Sequence, residues 1–244
     1  MSLISDLRIL YHMAASSNRG RTHAERIEGF YQGQASAYDD FRRRLLQGRE
    51  ELFAAVDPPA DGVWIDMGGG TGVSLEFMGD RLSRLRKAYV VDISPSLLGQ
   101  ARERIAARGW TNVEAVEADV TTFTPPEGQV DLITFSYSLT MIPDWFAAID
   151  QAFTLLRPGG RIGVVDFYVA RKHADGDRAK HGWSTRAFWP LWFSCDNVFL
   201  SPDHLPYLER RFDRAQREER RARLPYLPLI RAPYYIYVGA KRAD

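Results

Sequence analysis

The chain has 244 residues, of which 45% are hydrophobic, and this is enough to bury the core of one large domain or two small ones. Its 32 basic and 31 acidic residues give a net charge of +1, which argues against nucleic acid as an obligatory partner, because strong phosphate binding usually needs a basic excess. The single cysteine excludes an internal disulfide and a cysteine-based metal site, and the five histidines lack metal-ligand spacing, so we expect no metal and a cytoplasmic protein.

The N-terminal residues do not have the pattern of a secretory signal, and no uncharged apolar run reaches the ~18 residues of a membrane-spanning helix. We therefore expect a chain that is soluble or peripheral on the inner face of the membrane. Leu3, Leu7, Leu10 and Tyr11 form an apolar stripe at helical spacing. This stripe predicts either an interfacial helix or a helix that packs on the domain.

Residues 1–50 are predicted to be helical, and beyond them strand-like and helix-like stretches alternate. This alternation predicts a parallel, doubly wound α/β sheet. The predicted strands are Val63–Met67, Ala88–Asp92, Val113–Glu117, Val130–Ser136, Arg161–Tyr168 and Tyr234–Lys241. The predicted helices are Val73–Leu85, Pro95–Arg108, Trp145–Leu156 and Ser201–Phe212.

We interpret residues 1–244 as a single domain, with an N-terminal helical cap (1–55), a core (60–168) and a lid with the last strands (169–244). Arg157–Gly160 is predicted to be a turn, and residues 170–210 are predicted to be an irregular insertion rich in aromatic residues. The charged run Glu209–Arg223 is interpreted mostly as a solvated face.

A glycine-rich turn follows the first predicted strand directly: Gly68, Gly69, Gly70 and Gly72 fill four of five positions. Glycine permits positive φ angles and lets backbone N–H groups approach a ligand without a Cβ in the way. The following helix directs its positive end at the same place. The spacing G-x-G-x-G lacks the third glycine of the dinucleotide fingerprint, since Val73 stands there, so the turn suits a smaller anion such as the carboxylate of a methionine moiety.

Two aspartates follow the next two strands. Asp92 ends the second strand, where a carboxylate can accept two hydrogen bonds from ribose hydroxyls. The alternative for Asp92 is a helix cap, but Ser94 can serve that purpose. Asp119 follows the third strand and can accept from an adenine amino group, while the N–H of Val120 reaches a ring nitrogen; the alternative is a solvated turn.

Together these pieces resemble the class I S-adenosylmethionine-dependent methyltransferases over about residues 60–168. The resemblance rests on Asp66–Gly72, Asp92, Asp119, Val130–Ser136 and Leu156–Arg161. It implies a Rossmann-like sheet of seven strands, mostly parallel with an antiparallel last strand, and S-adenosyl-L-methionine as the cofactor. It also implies that Asp66, Ile93 and the backbone near Ser136 join the cofactor site.

The same resemblance implies that a tyrosine before the first strand closes over the cofactor. Tyr31 and Tyr38 are the candidates, and their spacing of seven puts both on one helix face. The alternative is that both are core residues.

Three flanking stretches resemble the N-methyltransferase component of betaine lipid synthesis. They are Tyr31–Arg49, which contains Gly-Arg-Glu, then Phe188–Phe193, and Leu224–Tyr235. The resemblance implies a lipid substrate at a membrane surface: the amine of a diacylglyceryl homoserine, methylated in successive steps. Relatives of that family methylate phosphatidylethanolamine.

A methyl transfer to an amine needs alignment and exclusion of water more than a covalent nucleophile. Its quaternary ammonium product is best held by aromatic faces. The aromatic candidates are Tyr31, Tyr38, Tyr137, Trp183, Tyr234 and Tyr235. Tyr137 is the best placed, because it follows the fourth strand at the open edge of the sheet. For each of them the alternative is packing in the core. His204 is either a proton shuttle or, as we favour, a surface residue. Arg231 is a candidate for the homoserine carboxylate or a surface arginine.

Other acceptors remain as alternatives. The first is a soluble small molecule or a quinone. The second, of another class, is a cofactor-binding partner protein without turnover. Nucleic-acid methylation is disfavoured, because Ser136-Tyr-Ser-Leu139 stands where an Asn/Asp-Pro-Pro-Tyr element would be expected.

Overall fold

The structure is a computed structural model that describes residues 45–194, 197–224 and 227–242. Tyr31, Tyr38 and the apolar stripe at Leu3, Leu7, Leu10 and Tyr11 therefore lie outside the described residues. Among the described residues, no helix is both long and apolar enough to cross a membrane.

The strands form a seven-stranded sheet in the order β3-β2-β1-β4-β5-β7-β6. Strands β1 to β5 run parallel, and β7 is antiparallel to both of its neighbours, β5 and β6. The sheet confirms the predicted α/β fold with a last strand that runs antiparallel. The strands are β1 (Val63–Met67), β2 (Lys87–Asp92), β3 (Val113–Glu117), β4 (Val130–Ser136), β5 (Leu156–Phe167), β6 (Asp213–Leu224) and β7 (Leu227–Ala240).

Helices cover both faces of the sheet, and hydrophobic clusters lie on each side of it. Neighbouring residues of β1 divide between them: Trp64 joins one cluster and Ile65 the other, because side chains alternate along a strand. The helices are α1 (Arg49–Ala55), α2 (Ser74–Met78), α3 (Pro95–Arg108), α4 (Trp145–Leu155), α5 (Trp183–Ser194) and α6 (His204–Arg211), and the 3₁₀ turns are Gly79–Arg84 and Leu139–Met141.

Helix α3 shows how the sequence sets its own boundaries. Ser94 accepts a hydrogen bond from the N–H of Leu97, and Pro95 occupies the first turn, where its missing N–H costs nothing. Gly109 ends the helix in the left-handed region, at φ 65°. The predicted helix Pro95–Arg108 is therefore confirmed.

Several predicted boundaries were wrong. The helix predicted over Val73–Leu85 is interrupted at Gly79, whose φ of 54° cannot continue an α-helix. The predicted turn Arg157–Gly160 lies inside β5, which pairs irregularly with β4 at its start. The insertion at 170–210 contains the helix α5, which accommodates Pro190, and the charged run Glu209–Arg223 contains most of β6.

Candidate functional site

A cavity of about 760 Å³ opens at the edge of the sheet where β1, β2 and β4 end. We call this the carboxyl edge. Parallel strands bring their following loops together at such an edge, which is where open α/β sheets bind ligands. The predicted site residues that line the cavity are Gly68, Gly69, Gly70, Asp92, Ile93, Asp119, Val120, Ser136, Tyr137 and Tyr234.

The glycine turn is held by strand β2 rather than left open to a ligand. The N–H groups of Gly68 and Gly69 both donate to the carbonyl of Val91, at 2.8 and 3.2 Å, and the N–H of Gly72 donates to the carbonyl of Gly69. This corrects the expectation that these N–H groups meet an anion. The turn's contribution is instead its lack of side chains next to the cavity.

Close packing explains why two of these positions are glycine. A Cβ at Gly68 would lie 2.5 Å from the Cβ of Ser138, and Gly68 has a φ of +70°. A Cβ at Gly69 would lie 2.8 Å from Oδ2 of Asp66. Any larger residue would therefore displace the turn from its close packing on Ser138 and Asp66. The backbone here can approach a ligand closely.

Asp66 lies buried beneath the turn. Its Oδ1 accepts a hydrogen bond of 2.7 Å from the hydroxyl of Thr134, which in turn accepts one of 2.9 Å from the indole of Trp64. Its Oδ2 has no hydrogen bond of normal geometry to a described residue. Burial raises the pKa of Asp66 to about 6, against the opposing effects of the Thr134 and Ser74 hydroxyls and the Arg49 charge. Asp66 and Gly72 are the predicted cofactor residues that do not reach the cavity wall.

The two aspartates after β2 and β3 both face the cavity but differ in surroundings. Asp92 is buried, and its two oxygens accept from the N–H groups of Gly70, at 2.9 Å, and Ser94, at 3.0 Å. Asp119 is exposed, and its Oδ1 accepts from the N–H and the hydroxyl of Thr121. Both residues line the cavity, and Oδ2 of Asp119 takes no part in the two bonds to Thr121, so a ligand amino group can approach it.

Arg49 is a cavity residue that sequence reasoning did not single out. It is the first residue of α1, and its Nε donates to Oγ of Ser136 over 3.0 Å. Its positive charge lowers the pKa of Asp66. Arg49 thus places a cation between the ends of β1 and β4. The sequence signal that could have identified Arg49 is the Gly-Arg-Glu element that contains it.

The glycine before Arg49 brings the last strand into the site. Gly48 has a φ of +87°, and a Cβ there would lie 2.6 Å from the ring of Tyr234. Tyr234 stands opposite Arg220 across the β6–β7 pair, and Arg220 forms an ion pair of 2.9 Å with Glu51 of α1. This part of the cavity wall therefore combines an aromatic ring with both signs of charge.

Tyr137 lines the cavity, but its hydroxyl is engaged. It donates a short hydrogen bond to the carbonyl of Gln47, and its ring packs on Phe167 at 4.8 Å between centroids. Burial raises the pKa of Tyr137 well above the usual value for a tyrosine. The phenol is therefore neutral, and Tyr137 can offer a ring face and a rigid position rather than a proton acceptor.

Four of the predicted substrate residues lie away from the cavity wall. Tyr235 is buried on the face of β7 opposite Tyr234, as alternation along the strand requires, and Trp183 is 78% exposed on α5. Arg231 is exposed near the start of β7. These placements correct the prediction that they surround the acceptor.

His204 is the fourth such residue, and our view of it as a surface residue was wrong. It is 0% exposed, it packs against the ring of Trp145 at 4.8 Å, and neither of its ring nitrogens bonds to a described residue. Burial lowers its pKa to about 3, so the imidazole is neutral. Within the described residues, no group of three or more His, Cys, Asp or Glu side chains is arranged to hold a metal ion.

Comparison with known proteins supports the chemistry expected of this cavity. The sequence profile of a family described as "Methyltransferase domain" matches residues 37–216. The chain is 31% identical over 142 residues to the ubiquinone/menaquinone biosynthesis C-methyltransferase UbiE of Allorhizobium ampelinum, a match that covers 57% of this chain and 55% of that protein. It is 26% identical over 171 residues to UbiE of Cronobacter sakazakii, covering 68% of each.

Among solved structures, the chain is similar to a phosphoethanolamine N-methyltransferase 2 from Haemonchus contortus. That structure contains phosphomonomethylethanolamine and S-adenosylhomocysteine. The TM-score is 0.68 at 13% identity, and the match covers 92% of this chain and 61% of the other. At this identity the similarity establishes the shared fold.

Proposed function

This chain belongs to the methyltransferase-domain family and is an S-adenosylmethionine-dependent methyltransferase, and we propose that it methylates the amine of a lipid head group. The favoured acceptor is diacylglyceryl homoserine, which successive methylations would convert to a trimethylated betaine lipid. The observation that carries this proposal is the cavity wall formed by Tyr137, Tyr234, Arg220 and Glu51, which combines aromatic faces with both signs of charge.

The residues around the glycine turn fit the cofactor. Gly68 and Gly69 let the turn pack closely on Ser138 and Asp66, and Gly70 has no atom closer than 3.6 Å to an added Cβ, so that the methionine part can lie against the backbone of the turn. The guanidinium of Arg49, which lies on the cavity wall beside Ser136, suits the methionine carboxylate. Asp66 lies buried behind the glycine turn, where it bonds to Thr134. When bound, the cofactor supplies a methyl group that leaves its sulfonium sulfur, with the electron pair of the C–S bond remaining on sulfur.

The residues that follow β2 and β3 suit the ribose and the adenine ring of the cofactor. Asp92 lies on the cavity wall at the end of β2, the position from which a carboxylate accepts from the two ribose hydroxyls, and Ile93 beside it offers an apolar contact. Asp119 and the N–H of Val120 suit the edge of the adenine ring. We assign Asp92 the larger share of affinity, because it is buried while Asp119 is exposed.

The acceptor side suits a zwitterion. Tyrosine faces attract an ammonium by about 0.5–2 kcal/mol each and keep this attraction after the last N–H is lost, when no hydrogen-bond acceptor can hold the group. Arg220 suits the carboxylate of a homoserine head group, and Glu51 suits an amine that still carries protons. Tyr137 is fixed by its bond to Gln47, so its ring is already positioned before the acceptor arrives.

A quinone ring is the second candidate acceptor, supported by the similarity to the UbiE C-methyltransferases. The chain spans only 55% of the first of these proteins, and the match covers 57% of this chain. Phe77, Met141 and Tyr137 on the cavity wall would suit a flat apolar ring. Both candidates are lipid-soluble acceptors.

The experiment that separates them uses deuteromethyl-labelled cofactor with diacylglyceryl homoserine, phosphatidylethanolamine and a demethylated quinol, each dispersed in the same detergent. Mass analysis of the products should show label in diacylglyceryl homoserine. Arg220→Gln should lower this transfer about tenfold while changing transfer to phosphatidylethanolamine, which lacks the carboxylate, far less. Label confined to the quinol would establish the second candidate, and cofactor binding without label in any acceptor would indicate a non-catalytic protein.

A further inference from the structure

The described residues leave six large apolar side chains exposed, and their neighbours place several of them near the carboxyl edge. Phe146 is in the first turn of α4, directly after the loop that lines the cavity, and the N–H of Phe199 donates to the carbonyl of Thr140 in that loop. Ile230 lies in β7 before Tyr234, which pairs with the last residue of β5. The six side chains are Phe146, Trp183, Phe188, Leu191, Phe199 and Ile230.

Helix α5 contributes half of this set. Its buried face carries Trp189 and Phe193, and Phe193 contacts Phe167 at the end of β5, with 4.7 Å between ring centroids. Its other face exposes Trp183 by 78% and Leu191 by 73%. A helix that is apolar on both faces is normally covered on both, because exposed apolar patches of this kind mark contact surfaces.

Arginines flank the apolar side chains on the β6–β7 hairpin. Arg223 stands directly opposite Arg231 in the strand pair, and both are exposed, as is Arg221. None of the three forms an ion pair with any residue that the structure describes. Like charges directly opposite each other destabilise a strand pair, so this arrangement suits an anionic surface that would neutralise both.

We propose that these six apolar side chains, together with Arg221, Arg223 and Arg231, form a docking face for a bilayer that contains anionic lipids. Trp, Phe and Leu side chains insert at the depth of the head groups, and arginines around them attract negatively charged lipid. The face adjoins the cavity, because Phe146 follows the loop that lines it and Arg221 is next to the cavity residue Arg220, so a lipid head group would enter the cavity without its acyl chains leaving the bilayer. The docking face rests on the proposed function, because only a lipid acceptor would require the protein to bind a bilayer.

The test is co-sedimentation of the full chain with vesicles of phosphatidylcholine alone or of phosphatidylcholine mixed with phosphatidylglycerol. We expect binding to the mixed vesicles only. Replacing Trp183 and Leu191 together by serine should weaken it at least about tenfold, and Arg223→Gln or Arg231→Gln should each weaken it about fivefold. Arg161→Gln is the matched control, because Arg161 is exposed at the start of the sheet, away from the carboxyl edge, and should bind as the wild type does.

Failure of this inference is distinguishable from failure of the proposed function, because transfer to detergent-dispersed lipid needs no docking. Absence of vesicle binding would overturn the docking face. A fluorophore on Leu191→Cys, in a chain in which Cys195→Ser removes the native thiol, that is already shielded in the monomeric protein would instead show that residues 1–44 cover the face. Elution of the wild type as a dimer, converted to a monomer by the double serine variant, would assign the face to a second copy.

Discussion

Arg49 and Ser136 are joined by a hydrogen bond of 3.0 Å although 87 residues separate them in the chain. The bond links the helix that precedes the sheet to the end of β4, at the wall of the cavity. It places a guanidinium where the cofactor's carboxylate is expected.

Replacing Arg49 by glutamine should weaken cofactor binding by about tenfold to a hundredfold, since a hydrogen bond to a charged group contributes about 1.5–3 kcal/mol. Titration of S-adenosylmethionine into the purified variant measures this directly. Arg161→Gln, at an exposed position away from the cavity, serves as the control. An unchanged dissociation constant for Arg49→Gln would remove Arg49 from the cofactor site.

Gly68→Ala tests the close packing of the turn. The added Cβ would clash with Ser138 at 2.5 Å, in a backbone conformation with φ +70°, so we expect lost cofactor binding and a clear loss of stability. Gly109→Ala is a matched control: its φ is +65°, but nothing lies within 4 Å of an added Cβ. That variant should lose only about 1 kcal/mol of stability and bind cofactor normally. Equal effects at both positions would argue against the packing explanation.

His204→Leu should make the protein less sensitive to acid. The folded pKa of His204 is lowered to about 3 by burial, from an ordinary value of 6.5. Stability from this group is therefore present above pH 6.5 and is lost as the pH falls toward 3, because the unfolded chain binds the proton first. Between pH 8 and pH 5 the wild type should lose about 2 kcal/mol more of its free energy of unfolding than the leucine variant does. Denaturant unfolding at both pH values measures it; a constant difference would contradict the assignment.

Asp166→Asn should remove a pH dependence of the opposite sign. Burial raises the folded pKa of Asp166 to about 7 from 3.8, against its bonds to Thr140 and the N–H of Phe167. The stability that it contributes is present below pH 3.8 and is lost as the pH rises through 7. Over this window the asparagine variant should lose less stability than the wild type in unfolding experiments at a series of pH values. If the free energy of unfolding changes equally with pH in both proteins, the buried carboxyl of Asp166 is not the cause of the pH dependence.

The cavity residues that follow β1, β2 and β3 were predictable from the sequence because local signals determine their positions. A short apolar strand, a run of glycines and an acid at the end of each following strand fix which residues meet at the carboxyl edge. What the sequence did not reveal was the bonding of the glycine N–H groups to Val91, since that depends on the neighbouring strand. Arg49 was missed for the same reason, because its partner lies 87 residues away.

The last strands were harder because their side chains do not follow an apolar–polar alternation. Strand β6 directs Arg217 and Glu219 to one face, where they are nearly buried and form ion pairs with each other and with neighbouring charged groups. A strand stabilised in this way has the composition of a solvated segment. Tyr234 and Tyr235 are both buried, so the sequence could not decide which of them faces the cavity.

The most direct test of the account is calorimetric titration of S-adenosylmethionine into the wild-type protein and into Asp92→Ala. Asp92 faces the cavity and orders the turn through the N–H of Gly70. We predict micromolar-range binding to the wild type, weakened about a hundredfold or more in Asp92→Ala, because hydrogen bonds to the ribose and the support of the turn are lost together. A wild-type protein that releases no heat of binding, or an Asp92→Ala variant with unchanged affinity, would contradict the assignment of this cavity to S-adenosylmethionine.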